Sequence, residues 1–333
     1  MFVLAADIGG TCARFRLLEA TQHGRRTHHE AELPSGEFPG LSETVEHYLS
    51  QLSRAERADI EGAWLGVAGP VQNKRVRFTN LPWIAEADTL CAQLGLREVH
   101  LINDLEALAH AIPTLQNHQL MTLQPGTAGA AGPRVVIAVG TGLGVAALVR
   151  NSTGHYSFAS EGGHADFAPC NETQLELLHH LKARFEHVSY ERVLSGNGLN
   201  SLYQFQLLKG ERQADVQATP LSPPQIVEAA DYGTDPEALA AIETFVETLG
   251  AFAGNVALQW LATGGLYLTG GVATQLHPYL TGPSFSAAFQ NKGRMREMMT
   301  RIPVSLIMER HAGLEGISEM AVKRYRAGET MGG

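Results

Sequence analysis

Three short stretches carry residue types that handle phosphate. They are "DIGGT" (Asp7 to Thr11), "GTGLG" (Gly140 to Gly144) and "TGG" (Thr269 to Gly271), and each follows an apolar run. Glycine at such a turn admits positive φ and lets backbone N–H groups reach an anion with no Cβ in the way. Threonine adds a hydroxyl donor. None of the turns fits the P-loop, which needs a lysine after its glycines, or the dinucleotide pattern G-x-G-x-x-G. Taken singly, each is accounted for by plain hairpin chemistry. Three together, one led by an aspartate able to hold Mg2+ through water, point to nucleotide phosphates.

Candidate polar groups lie between these turns. "HLINDLEALAHAI" puts Asn103 and Asp104 where a strand ends and a helix begins. Ligands of parallel α/β sheets bind at that end of the strands. Asp104 is equally placed to cap the helix. "SEGGHADF" offers Glu161, two glycines and His164. A lone histidine in a chain with 14 of them is ordinarily structural. On a glycine turn beside a carboxylate, His164 becomes a candidate for recognising a polar ligand. "YERVLSG" adds Glu191, which an exposed helical charge would explain as well.

The elements that must position these residues read as α/β. "FVLAADIG", "ARFRLLEA" and "THHEAEL" are three consecutive strands joined by tight turns. "LSETVEHYLSQL" sets Leu41, Val45, Tyr48, Leu49 and Leu52 on one helical face. "AWLGVAGPV" and "VHLIND" are buried strands, and the alternation with helices predicts a largely parallel sheet. Near residue 113 the pattern restarts, with "RVVIAVG" and "GVAALVR" around the second glycine turn. Both halves open with the same strand–turn–strand device, which reads as a structural repeat or as two similar hairpins. "YERVLSGNGLNSLYQFQ" is an amphipathic stretch, "SPPQ" a helix start, and "DPEALAAIETFVETLGAFAGNVALQWLAT" a long buried helix.

Composition bounds the rest. The 333 residues suggest two domains, and the 44% hydrophobic and 18% charged content is that of a soluble globular protein. A net charge of −9 argues against nucleic acid and an anionic membrane as partners. Cys12, Cys91 and Cys170 are odd in number and widely spaced, which fits a reducing cytoplasm. "MFVLAADIGG" lacks the basic start of a signal peptide, and no apolar stretch reaches the roughly 18 residues of a membrane span.

"DIGGT", "LINDLEA", "VGTGLGVA", "EGGHADFAP", "ERVLSGNGL" and "LTGG" occur in the order and approximate spacing of bacterial glucokinases. The chain resembles that family, within the sugar kinase, actin and heat-shock chaperone ATPase superfamily, over nearly its whole length. The resemblance implies two ribonuclease H-like lobes around a cleft, a small lobe of 1–112 with 313–333 and a large one of 113–312. It implies phosphorylation of D-glucose at the 6-hydroxyl by ATP with Mg2+, the first step of glycolysis, in a cytoplasmic homodimer. Asp104 matches the catalytic base. Asn103, Asp104, Glu161, His164 and Glu191 match the sugar-binding positions. Asp7, Gly9, Gly10 and Thr11 match the first phosphate loop, with Asp7 in the metal's water shell. Gly140, Thr141 and Gly142 match the second loop, and Gly270 and Gly271 the loop near the adenosine. Cys12 stands where many relatives have asparagine, which puts any polar contact there in doubt. The related repressor-and-kinase group has a zinc site with closely spaced cysteines. Here only Cys170 follows "GGHADFAP", so His164 is not expected to hold zinc. Competing readings are a kinase for another hexose, a sugar- or nucleotide-sensing regulator, and an actin-like filament protein.

Overall fold

The computed structural model describes residues 1–21, 24–127, 132–152, 154–210 and 221–329. The chain divides into two compact units, Met1–Leu115 with Glu309–Gly333, and Gln116–Met308.

The first unit is built on a five-stranded sheet. Its members are β1 (Phe2–Ile8), β2 (Cys12–Thr21), β3 (Gly24–Pro34), β4 (Ile60–Val67) and, after the short strands below, β8 (Glu98–Asn103). They lie in the order β3-β2-β1-β4-β8. β1 is apolar almost throughout because both of its faces are covered. Leu4, Ala6 and Ile8 join a cluster with Leu41, Val45, Tyr48 and Leu49 of α1 (Leu41–Ser50). Val3 and Ala5 join the opposite cluster with Leu314 and Ile317 of the terminal helix Ala312–Glu329. α2 (Arg54–Ala58), α3 (Ala87–Leu94) and α4 (Asp104–Ala111) complete the connections. A small antiparallel sheet of β5 (Val71–Gln72), β6 (Arg75–Arg77) and β7 (Ile84–Glu86) is an addition that sequence patterning did not reveal. Its strands are too short to show a period.

The second unit carries β9 (Leu120–Gln124), β10 (Arg134–Val139), β11 (Leu143–Asn151), β12 (Gly154–Ser160), β13 (Gly265–Thr269) and β14 (Val304–Ile307). Their order is β12-β11-β10-β13-β14-β9. Three antiparallel strands followed by two parallel ones therefore occur in both sheets, which is the repeat expected from the two glycine turns. α5 (Glu172–Lys182), α6 (Gly196–Lys209) and the helices Pro223–Asp231 and Pro236–Trp260 lie between β12 and β13 in the chain. Pro236–Trp260 is buried along most of its length in the unit's main cluster. Gly250 lets it close on the helix Pro283–Gln290, since a Cβ there would sit 2.3 Å from the Phe285 carbonyl oxygen.

The sheets are not largely parallel. Among the described residues, β1–β2, β2–β3, β10–β11, β11–β12 and β14–β9 are antiparallel, and only β1–β4, β4–β8, β10–β13 and β13–β14 are parallel. Tight turns return the chain antiparallel, whereas a parallel neighbour needs a crossover. The strand–helix alternation marks the crossovers and understates the hairpins.

Candidate functional site

The first glycine turn joins β1 to β2. Gly9 N–H donates to the Cys12 carbonyl at 2.9 Å, and the buried Ser35 hydroxyl donates to the Gly9 carbonyl at 2.8 Å. Neither Gly9 nor Gly10 has positive φ. Space is the reason for glycine here: a Cβ on Gly10 would lie 3.0 Å from the Asn80 Cβ, and one on Gly9 3.1 Å from the Cys12 carbonyl oxygen. The N–H groups of Gly10 and Thr11 find no acceptor among the described residues, and Thr11 is exposed. A bare turn with spare donors suits an anion.

Asp7 sits one residue before the end of β1, directly across from Arg14 of β2. Arg14 in turn pairs with Glu32 of β3, with side chains 3.4 Å apart. Burial holds the Asp7 carboxyl above its ordinary range, against the opposing pull of Arg14 and His311. Its oxygens accept no hydrogen bond among the described residues. Sequence reasoning missed Ser35, Arg14 and His311. Only Arg14 left a trace, as a charge in the alternating "CARFR" of β2.

At the end of β8 the chain turns into α4, and the helix cap is Asn103 rather than Asp104. Asn103 Oδ1 accepts from the Leu105 and Glu106 N–H groups at 3.1 and 3.3 Å, and its Nδ2 donates to the Gly69 carbonyl at 3.1 Å. Asp104 is the first helical residue, its Oδ1 accepting from the Leu105 N–H at 2.9 Å. Burial, then the negative charge of Asp7, pushes its carboxyl up to about 6. Two carboxylates in one field, one of them free of donors, fit a hydrated dication.

The second unit assembles the other candidates. Glu161 precedes a 3-10 turn, Gly162–His164, and both it and His164 are exposed. His164 Nε2 lies 3.8 Å from Glu161 Oε2, and its Nδ1 lies 4.0 Å from Glu191 Oε1. These separations exceed hydrogen-bond length and leave polar atoms for a ligand. Glu191 is not on the amphipathic helix. It lies in a 3-10 turn, Tyr190–Arg192, and α6 begins only at Gly196 under a Ser195 cap. Its Oε2 accepts from the Leu143 N–H at 2.9 Å, so it is bonded to the second glycine turn.

That turn, Gly140 to Gly142, links β10 to β11 and also lacks positive φ. Thr141 is exposed, and the Thr141 and Gly142 N–H groups find no acceptor among the described residues. The third turn is no hairpin: β13 runs through Gly270 into a short helix, Gly271–Gln275. Gly270 alone among the turn glycines has positive φ, +99°, and a Cβ there would lie 2.4 Å from the Val139 carbonyl oxygen. The third turn thus packs on the end of β10, beside the second.

A family model described as Glucokinase matches residues 4–324. The chain belongs to the glucokinase family. It is similar to a glucokinase of Nostoc sp. (strain PCC 7120 / SAG 25.82 / UTEX 2576), 36% identical over 340 aligned residues, covering 96% of this chain and 99% of the relative. A crystal structure of a glucokinase from an Antarctic psychrotroph superposes with a TM-score of 0.85 at 31% identity, covering 97% of this chain and 99% of that one. A ROK family glucokinase from Streptomyces griseus, crystallised with glucose and AMPPNP, shares the fold at a TM-score of 0.63 and 21% identity, over 97% and 100% of the two chains. The protein is accordingly a glucose kinase, a phosphotransferase of the hexokinase class that uses ATP, on the actin-like ATPase fold. Among the described residues no helix is long and apolar enough to cross a membrane.

Proposed function

We propose that Asp104 is the general base of glucose phosphorylation, accepting the proton of the 6-hydroxyl as that oxygen attacks the γ-phosphorus of ATP. The observation that carries this is its place, opening α4 where β8 ends with the helix cap left to Asn103, and its carboxyl is suited to the task. A group pushed up to about 6 is about nine-tenths ionised at pH 7, yet basic enough to take a proton in the transition state. With Asn103 as the cap, Asp104 is released from the structural task that would otherwise explain it.

The remaining roles follow the family pattern. Asn103 keeps one amide N–H beyond its bond to Gly69, and this donor is left for a sugar hydroxyl. Glu161, His164 and Glu191 bind hydroxyls, which supplies the selectivity that a neutral sugar demands, because a missing or inverted hydroxyl leaves such groups unpaired. Gly9, Gly10 and Thr11, with Gly140, Thr141 and Gly142, offer N–H groups to the phosphates, and Gly270 and Gly271 lie near the adenosine. Asp7 holds Mg2+ through water, and the ion, when bound, spreads the charge of the transferring phosphoryl group. The same reading makes the enzyme a cytoplasmic homodimer, which sedimentation tests for its oligomeric part.

The test is a coupled assay for glucose 6-phosphate. Asp104→Asn should lose about 10²–10⁴-fold in turnover while still binding glucose. Turnover within a few-fold of wild type would remove Asp104 from the role.

A further inference from the structure

We propose that Glu191 is a positioning residue that couples sugar binding to the second glycine turn, so that a bound sugar and bound nucleotide phosphates strengthen one another. This rests on the reading that Glu191 contacts the sugar and that Gly140 to Gly142 contact phosphate.

The two carboxylate oxygens of Glu191 face different ways. Oε2 accepts the Leu143 N–H at 2.9 Å, the first N–H after the turn. Oε1 lies 4.0 Å from His164 Nδ1 and has no hydrogen bond among the described residues, so it is the atom left for a sugar hydroxyl. Whatever moves one oxygen moves the other.

The backbone around Glu191 braces the same turn. Its carbonyl accepts from the Ser195 hydroxyl at 2.8 Å, and the next residue, Gly196, donates its N–H to the Gly140 carbonyl at 2.8 Å. Segment 191–196 therefore holds the turn at its first carbonyl and at the N–H that closes it. The Glu161–His164 motif packs against the same residue, since a Cβ on Gly163 would lie 1.9 Å from the Leu143 carbonyl oxygen.

This gives Gly142 a second reason to be glycine. A Cβ there would sit 2.7 Å from Glu191 Oε2. The obstacle is the far end of a flexible side chain, so Gly142→Ala should fold and should push the carboxylate aside. A substitution in the phosphate turn is thereby expected to damage sugar binding. Coupling between two ligands is reciprocal, so the converse must hold too.

Glucose binding is measured by calorimetry with and without AMPPNP, and the KM for ATP at saturating glucose, for wild type, Gly142→Ala, Glu191→Gln and Glu191→Ala. In wild type, AMPPNP should tighten glucose at least about fivefold. Gly142→Ala should weaken glucose about tenfold even without nucleotide, the scale of one hydrogen bond to a charged group. Glu191→Gln can keep the Leu143 bond through its amide oxygen, so it should weaken glucose but leave the KM for ATP within twofold. Glu191→Ala loses both bonds and should raise the KM for ATP about tenfold. The proposal is overturned by glucose affinity in wild type that ignores AMPPNP, by Gly142→Ala with wild-type glucose affinity, or by Glu191→Ala with a wild-type KM for ATP. Glu191→Gln with wild-type glucose affinity would instead sink the underlying sugar contact, and the coupling with it.

Discussion

Asp7 and Asp104 share one electrostatic field: the charge on Asp7 helps hold the Asp104 carboxyl up at about 6, second only to burial. Asp7 comes from β1 and Asp104 from the start of α4, so the sheet, not local sequence, sets their interaction.

The first consequence is an acid limb. A general base works only when ionised, so kcat/KM should fall as pH drops through about 6, the value of the free enzyme. Asp7→Asn removes one negative charge and should move the limb to lower pH. The movement should be partial, because burial is the larger cause and remains. A limb that stays in place in Asp7→Asn would show that the two groups do not interact.

The same shift makes Asp104 a cost to stability. Its folded value, about 6, lies above the unfolded one of 3.8, so the native state binds its proton more tightly. The linked stability is fully present below pH 3.8 and is lost as pH rises through 6. At pH 7 that loss is up to about 3 kcal/mol. Asp104→Asn should therefore be nearly inactive but more stable than wild type at pH 7, with the difference fading toward pH 4. Urea unfolding at several pH values measures this, and an Asn variant less stable at every pH would contradict it.

Cys12, the residue that follows the first turn, has a defined partner. Its thiol donates to Glu32 Oε1 at 2.9 Å, and burial followed by that bond pushes it up to about 11. A thiol held neutral is a poor nucleophile. Disulfide reagents at neutral pH should label the exposed Cys170 well before Cys12, as mapped by mass spectrometry. Cys12→Ser keeps a donor for Glu32 and should change turnover less than twofold. Early labelling of Cys12 would show that the Glu32 bond does not persist in solution.

How much of this was legible in the sequence varied with the kind of fact. The glycine turns marked the starts of both sheets because apolar strands flank them, and "INDLEA" marked a strand end running into a helix. The division of labour inside that motif was not legible. Asn and Asp both cap helices, and only the hydrogen bonds assign the cap to Asn103. Glu191 was least legible, since its "YERVLSGNGL" context has helical periodicity while the residue sits in a separate turn. Its bond to Leu143 spans 48 positions, and no local pattern encodes that. The positive φ expected of the turn glycines holds at Gly270 alone, because a sequence shows where glycine occurs and not whether angle or space requires it.

Gly316 offers the sharpest test of how the first unit sets its aspartates. The terminal helix starts beside Asp7, where a Cβ on Gly313 would lie 3.1 Å from Asp7 Oδ2. One turn later Gly316 meets the backbone of α4, and a Cβ there would lie 1.8 Å from the Ala107 carbonyl oxygen and 3.0 Å from the Ala111 nitrogen. No side chain can swing away from such a clash, so α4 and the terminal helix must part. Overpacking of this kind costs typically about 1–3 kcal/mol, and backbone obstacles belong at the upper end. Asp104 opens α4, so the same displacement moves the proposed base. Gly316→Ala should lose both stability and turnover, whereas Gly36→Ala, with nothing within 4 Å of its added Cβ, should change neither. Urea unfolding and the glucose 6-phosphate assay on the two variants decide it. Gly316→Ala with wild-type stability would mean that the two helices are not packed as closely as this.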